Sequence, residues 1–401
     1  MQDRSIAHTA VSPARNAQTR LGRITTVFAV LIALLFVAKL AQTVVQRAGE
    51  PVSDLAAFYE GAARLQASLP LYETDVDFYA KPIQYIYPPP IALLLQPLHG
   101  YVTTWWVWAG VSLLAWVAAL ALLLRELSSE LHERVPPAWW PLLLAELIAF
   151  TPVLSHFFWG QTQLLLLLLL VISWMLLRRG RDISAGIVLG LAIAIKIFPL
   201  LLFVPLFARR RWSSLIAATL SAAAVLGLSY AIVGWDQAYV FFADVLPRHS
   251  GAVIANSTAH TTIAAMLTNA FGAPAFSYYA SLLVRALVMA AVLYGAWRMR
   301  DAAQAFALGM TTLVLVTPVV WEHYFVLAYL PWLDALARSS RRQQPVLIVA
   351  YFLFAAAMLI YYTPGPLLLA AAQLLPILGA FLLLWVQLWQ TPVDSTQPID
   401  N

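Results

Sequence analysis

The sequence predicts an all-α, polytopic membrane protein, on three observations. The chain is 62% hydrophobic and only 11% charged, whereas a soluble domain carries about 25% charged residues. Apolar runs recur along its length, several of them near the roughly 20 residues that a spanning helix needs. Its arginines fall in short clusters between those runs, a pattern that reports loop orientation rather than nucleic-acid binding. About ten to twelve spans are expected at that helix length. They form one membrane domain over 24–390, with cytoplasmic tails at 1–23 and 391–401. Cysteine is absent, which excludes a disulfide framework and a Cys-ligated metal.

Taken in order, the first run, Ile24–Val45, is too long for a signal-peptide core, and no A-x-A-like cleavage site follows it. The loop Gln46–Tyr87 comes next. Ser53-Asp54 is suited to cap a helix, and Leu55, Phe58, Ala62, Leu65 and Leu69 then recur at helical spacing. This predicts an amphipathic helix lying on the membrane surface, ended by Leu69-Pro70. Tyr59, Tyr72, Phe78, Tyr79, Tyr85 and Tyr87 supply rings suited to an interface or to stacking on a sugar. Pro88-Pro89-Pro90 makes a stiff entry to Tyr85–Leu98. That segment is short for a span, and whether it crosses sets the parity of the later ones. Further apolar runs are Val102–Leu124, Leu164–Leu177, Leu215–Val233, Leu282–Trp297, Ala305–Val320, Val346–Tyr361 and Leu367–Trp389. Trp105, Trp106, Trp108, Trp139 and Trp140 read as anchors at the bilayer belt.

The arginine clusters give the topology. Arg15, Arg20 and Arg23 precede the first span, and others lie at Arg178-Arg179-Gly180-Arg181, Arg209-Arg210-Arg211, Arg298-Met299-Arg300, and Arg338 with Arg341-Arg342. The positive-inside rule places all of them in the cytoplasm. The chain between the clusters at 178 and 209 must then cross twice, with about 12 residues per crossing, below the usual range of about 17–25. Two half-helices or a re-entrant hairpin result, with Lys196 at the outward apex. Lys196 lies within an apolar stretch, and Pro199 follows it closely. A lysine at bilayer depth costs roughly 3 kcal/mol on insertion scales, and a proline breaks the helix at the carbonyl four residues earlier. Broken backbone at depth is tolerated only inside protein or against a wet cavity. Lys196 therefore marks an anion pocket.

These residues also carry a resemblance. Asp54 stands on a helix after the first span, followed by Leu71-Tyr72, Tyr85-Ile86-Tyr87-Pro88-Pro89-Pro90 and Pro97. Next come Gly160-Gln161-Thr162-Gln163, the stretch Ala185-Gly186 through Gly190 to Lys196-Ile197-Phe198-Pro199, Asn256-Ser257, and Thr317-Pro318 with Trp321-Glu322-His323-Tyr324. In this order they resemble the GT87 group of polyprenyl-phosphate-sugar-dependent glycosyltransferases of the GT-C superfamily. The likeness runs roughly from the first span to Tyr324. It implies an inverting transfer of a sugar, most often mannose and otherwise arabinofuranose, from phosphopolyprenol to an acceptor on the outer face of the cytoplasmic membrane. It implies Asp54 as general base and Lys196 and His323 at the donor phosphate. Tyr59, Tyr72, Tyr85, Tyr87, Gln161, Asn256 and Glu322 are expected around the sugar and acceptor. The glutamine that such relatives often carry between the Asn and Ser is missing at Asn256-Ser257, which weakens that match.

The chemistry is sound on its own terms. An alcohol needs a carboxylate to take its proton as the bond forms, and a lipid phosphate gathers charge as it leaves, which cations stabilise. There is no G-x-G-x-x-G and no P-loop, consistent with a sugar already activated on lipid. No cofactor is expected. A divalent metal is compatible with Asp75-Val76-Asp77 but is not predicted. The expected partners are the phosphopolyprenyl-sugar donor, a glycolipid or glycan acceptor and membrane lipids, with no nucleic acid. Bland roles compete at each position: Asp54 as a helix cap, Lys196 snorkelling to an interface, His323 capping a helix. A lipid or solute transporter is the alternative of another class. It calls for paired broken helices in two repeats, and only the Lys196–Pro199 break is evident. A channel would show recurring polar residues along a pore, and none recur.

Overall fold

The computed structural model describes residues 13–50, 54–73, 83–250 and 260–390. It is helical throughout, with no strand among the described residues. Among the described residues six helices are long and apolar enough to cross a membrane: Leu21–Arg47, Tyr101–Glu126, Pro137–Trp159, Trp212–Val233, Pro274–Arg298 and Pro366–Trp389. Five shorter apolar helical segments lie between them, Gln163–Arg178, Asp182–Ile195, Phe198–Ala208, Ala302–Val316 and Gln344–Ile360. The leg Glu322–Ala328 with Tyr329–Ala337 completes the path.

The long helices form the outer wall. Leu34, Leu35, Leu114, Leu220, Leu228, Leu283 and Leu367 stand exposed on them, which suits hydrocarbon and would be an aggregation hazard in water. The centre is different. In Ala302–Val316 every residue from Ala302 to Leu315 except Gln304 is buried, and so is every residue of Tyr329–Ala337. This hairpin is a pillar, and it carries Trp321, Glu322 and His323 at its tip.

The two ends of the bundle differ in charge. At one end Arg178 pairs with Glu126 and Glu130, Arg211 with Asp182, and Arg338 with Asp301 and Asp334. Arg209 donates to the carbonyls of Trp297 and Arg300 at the same end. At the other end Trp105 Nε1 donates to the Val44 carbonyl, Arg47 to that of Phe158 and the Tyr101 hydroxyl to that of Glu50. The helix Tyr101–Glu126 joins the two ends, and its 26 residues span about 39 Å.

The Lys196 segment is two half-helices, as its length requires. Asp182–Ile195 rises for 14 residues, about 21 Å. Lys196 then turns extended, at φ −142° and ψ 137°. A 3₁₀ turn, Phe198–Leu202, and the short helix Phe203–Ala208 lead back to the arginine end. The rising leg lies flush on Trp212–Val233. A Cβ at Gly186 would stand 2.2 Å from the Ser214 carbonyl oxygen, and one at Gly190 2.5 Å from that of Ala218. Ser214 and Ser221 donate across the seam to the carbonyls of Asp182 and Ile187. Small residues four apart that let two membrane helices touch backbone to backbone are a recurring packing device.

Three sequence expectations need correction, and the open question of Tyr85–Leu98 is answered. Pro90–Leu95 is a six-residue helix, about 9 Å long, so Tyr85–Leu98 does not cross. A crossing that the apolar runs did not reveal takes its place. Pro137–Trp159 is interrupted by Pro137, Pro141 and Pro152 and broken between Trp140–Ile148 and Thr151–Trp159. The Asp54–Gln66 helix does not float on lipid: Leu55, Ala56, Ala57, Phe58, Gly61 and Ala62 are buried in a cluster with Tyr85, Ile91, Trp105 and Trp108. Trp105 and Trp108 are accordingly core residues at 1% and 2% exposure, and of that triplet only Trp106 is outward.

The seam of the half-helix generates a test. Gly190→Ala should destabilise the purified protein by about 1–3 kcal/mol through overpacking, read as a lowered Tm. An unchanged Tm would show that the seam opens at no cost.

Candidate active site

Four separate segments meet at the arginine-poor end. Asp54 is the first residue of its helix. Its Oδ2 accepts from Gln161 Nε2 at 2.5 Å, and Gln161 Oε1 accepts from Lys196 Nζ at 2.9 Å. One amide thus joins the carboxylate to the buried ammonium. Gln161 is held from behind by Trp108 Nε1, which donates to its carbonyl at 3.0 Å. Gly160 beside it adopts φ +66°, and a Cβ there would lie 2.7 Å from Leu55 Cβ. Glycine is needed both for that left-handed turn and for the approach of the Asp54 helix.

Lys196 is 5% exposed. Two aromatic faces flank its Nζ, with the Tyr87 centroid at 4.9 Å and the Tyr324 centroid at 5.3 Å. Both are within the reach of a cation–π contact. The fourth segment brings Glu322 and His323, each 1% exposed. Glu322 Oε1 accepts from Trp159 Nε1 at 3.1 Å and from the Ser155 hydroxyl, and lies 3.8 Å from His323 Nδ1. Neither ring nitrogen of His323 has a hydrogen-bond partner. His323 is close enough to act on Asp54 by its charge.

Asp54 is partly buried. Burial pushes its carboxyl above the usual aspartate range. The charge of His323, the Gln161 hydrogen bond and Lys196 pull it back, and Glu322 pushes it further up. A carboxyl so placed is a better proton acceptor than a free aspartate, provided it remains ionised.

The structure therefore brings Asp54, Gln161, Lys196, Glu322, His323 and Tyr87 into one site. Tyr72 and Tyr85 are not open sugar platforms. Both are buried, with the Tyr72 hydroxyl donating to the Tyr87 carbonyl at 2.9 Å and that of Tyr85 to the Pro88 carbonyl. They shape the strand of chain that presents Tyr87. Tyr59 packs edge-on against Tyr101 at 5.9 Å. Asn256, Ser257, Asp75 and Asp77 lie outside the described residues, as does Ser53. Among the described residues no group of three His, Asp or Glu is placed to hold a metal.

Sequence reasoning missed His156, Ser155, Trp159 and Tyr324. His156 is fully buried, both its ring nitrogens lack partners, and its electrostatic neighbours are His323 and Lys196. The signal was the one that exposed Lys196, an ionisable group in an apolar helix. It went unread because prolines hid that helix.

The sequence model of glycosyltransferase family 87 matches residues 85–318, more than half of the chain. An alpha-(1->3)-arabinofuranosyltransferase of Corynebacterium glutamicum is 32% identical over 198 residues, which are 48% of this chain and 45% of that protein. The chain thus spans less than half the length of that relative. Two polyprenol-phosphate-mannose-dependent alpha-(1-2)-phosphatidylinositol pentamannoside mannosyltransferases are matched over more. That of Mycolicibacterium smegmatis is 25% identical over 79% of this chain and 77% of its own, and that of Mycobacterium tuberculosis 27% over 80% and 75%. No solved structure matches. With the family model covering more than half of the chain, the protein belongs to glycosyltransferase family 87.

Proposed function

We propose that the protein transfers a glycosyl unit, with inversion, from a polyprenyl-phosphate sugar to a hydroxyl of a glycolipid or glycan. The observation that carries this reading is the chain from Asp54 through Gln161 to Lys196, a base and an anion-binding cation held one amide apart. The acceptor oxygen attacks the anomeric carbon on the face opposite the phosphate, and its proton passes to the Asp54 carboxylate. The bond from that carbon to the phosphate oxygen breaks, and its electron pair stays on the phosphate. Lys196 and His323 meet the charge that grows there. Tyr87, at 4.9 Å from Lys196 Nζ, borders the sugar side of the pocket, with Glu322 and Gln161 ordering it.

Mannose is the favoured sugar, since the relatives matched over about four-fifths of this chain are named for polyprenol-phosphate-mannose. Arabinofuranose is the second reading, favoured by the 32% identity over the shorter match. The site faces outward from the cytoplasmic membrane. The support is the paired arginines Arg178, Arg211 and Arg338 at the opposite end, which the positive-inside rule assigns to the cytoplasm.

Three measurements test the reading. Purified protein reconstituted in vesicles should consume phosphopolyprenyl mannose and release polyprenyl phosphate when acceptor is present. Solute flux with the donor left intact would instead support a transporter. Asp54→Asn should reduce kcat by about 10²–10⁴-fold, the usual cost of losing a general base, and leave donor binding nearly unchanged. Normal turnover would remove Asp54 from the mechanism.

The pH profile is the second. Asp54 acts as its ionised form, so kcat/KM should fall as pH drops through a pKa above the free-aspartate value of about 3.9. Lys196→Met removes one of the influences that lower this pKa. Its acid limb should move to higher pH while its KM for the donor rises. A limb that stays fixed would mean that the two charges are uncoupled.

The third concerns Gln161. Gln161→Leu leaves both charges without their shared partner and should lower kcat by about 10–100-fold, the worth of a hydrogen bond to a charged group. A change in protein yield with normal kcat would reduce Gln161 to a packing role.

A further inference from the structure

Arg285 lies near the middle of Pro274–Arg298, twelfth of its 25 residues. It is 8% exposed, and its Nε and Nη2 are buried with no hydrogen-bond partner. The arginines at the charged end of the bundle do have partners: carboxylates for Arg178, Arg211 and Arg338, and carbonyls for Arg209. Among the described residues Arg285 has no carboxylate partner. An unpaired guanidinium at this depth is among the costliest placements in a membrane protein, and by default it marks a function.

Its height can be read from the helices. Arg209 donates to the Trp297 and Arg300 carbonyls at 3.2 Å each, which ties the end of Phe203–Ala208 to the end of the Arg285 helix. From Trp297 up to Arg285 is about 18 Å of helix. From Arg209 up to Lys196, the short α-helix and the 3₁₀ turn supply about 19 Å. The two cations therefore stand at nearly the same depth on neighbouring legs. Arginine side chains lean toward the helix N-terminus, here the end that carries the exposed rings of Phe276 and Tyr279. Ser281 and Ser277, one and two turns above on the same face, are fully buried, so the buried face of the helix carries polar side chains from the guanidinium toward the aromatic rim.

We propose that Arg285 is a second anion site, separate from the Lys196 pocket, which holds the phosphate of a membrane lipid entering at the Asp54 end. The guanidinium fork matches two phosphate oxygens, and the bond is strong in a dry setting. Two membrane lipids offer this group, a phosphopolyprenol and a phospholipid. That the lipid comes from the outer leaflet rests on the orientation proposed above; the site itself does not.

Native mass spectrometry of the full chain in neutral detergent tests this, with undecaprenyl phosphate, phosphatidylglycerol and uncharged undecaprenol as probes. Arg285→Gln should hold a phosphate lipid about tenfold more weakly than the native protein, as expected for losing a charged hydrogen bond, and hold undecaprenol equally well. A loss confined to undecaprenyl phosphate identifies a phosphopolyprenol as the occupant, and a loss with phosphatidylglycerol a phospholipid. Equal retention of both phosphate lipids by Arg285→Gln and the native protein overturns the proposal. Where Arg285→Gln does not fold, Lys196→Met decides: it should still retain one phosphate lipid, and retention of none overturns the site. Retention is read without turnover, so failure of the transfer reaction leaves this result standing.

Discussion

The arginine-poor end of the bundle is organised around one side-chain amide. Gln161 accepts from Lys196 and donates to Asp54, and an amide offers both polarities in a fixed plane without titrating. A direct ion pair between the two charges would satisfy each of them and leave neither for substrate. With the amide between them, each keeps a face free. Much else in the fold serves to hold that amide still. Trp108 fixes its backbone, and Gly160 supplies the turn and lets Leu55 close against it. The Gly186 and Gly190 seam sets how high Lys196 can reach.

The half-helix gives the site its depth. Each leg is about 20 Å long by helix rise, against a hydrocarbon core of about 30 Å. Lys196 therefore stops short of the far surface, and the proposed lipid phosphate would sink to meet it. Burial strengthens each electrostatic contact there, which is why a single ammonium with two aromatic faces, Tyr87 and Tyr324, suffices to mark the pocket. The pillar Ala302–Val316 delivers His323 to the same level. His156, Ser155 and Trp159 come from the proline-broken crossing beside it.

What the sequence made legible follows from where its physics is local. A lysine followed by a proline in an apolar run is conspicuous by itself, and so the Lys196 break was readable, with the arginine clusters that orient it. The Asp54 helix was readable from its spacing, but the partner for its apolar face was not, because lipid and protein interior are equally apolar. Trp105 and Trp108 failed for the same reason: a tryptophan near a span end suits the interface and a buried indole–carbonyl bond alike. Pro137–Trp159 stayed hidden because three prolines interrupt the run that would have shown it, and with it went His156. The coupling of Asp54 to Lys196 through Gln161 joins residues separated by 107 and 35 positions, which no single-sequence pattern records.

Charge conservation ties these parts to the proposed reaction. A phosphopolyprenyl sugar is a phosphodiester with one negative charge, and the polyprenyl phosphate that leaves is a monoester with a second ionisable oxygen. In the same step Asp54 takes up the acceptor's proton and becomes neutral. The net charge of the pocket is unchanged, while one negative charge moves from the carboxylate to the phosphate. The chain from Asp54 through Gln161 to Lys196 spans that displacement. At the start Lys196 and the amide stabilise the carboxylate, and at the end the ammonium is released from it to the phosphate. Burial, which pushes the Asp54 carboxyl up, favours its neutral form, and so favours the product side of the transfer. The same burial that makes Asp54 harder to ionise therefore makes it a stronger acceptor, and the charge of Lys196 opposes that effect.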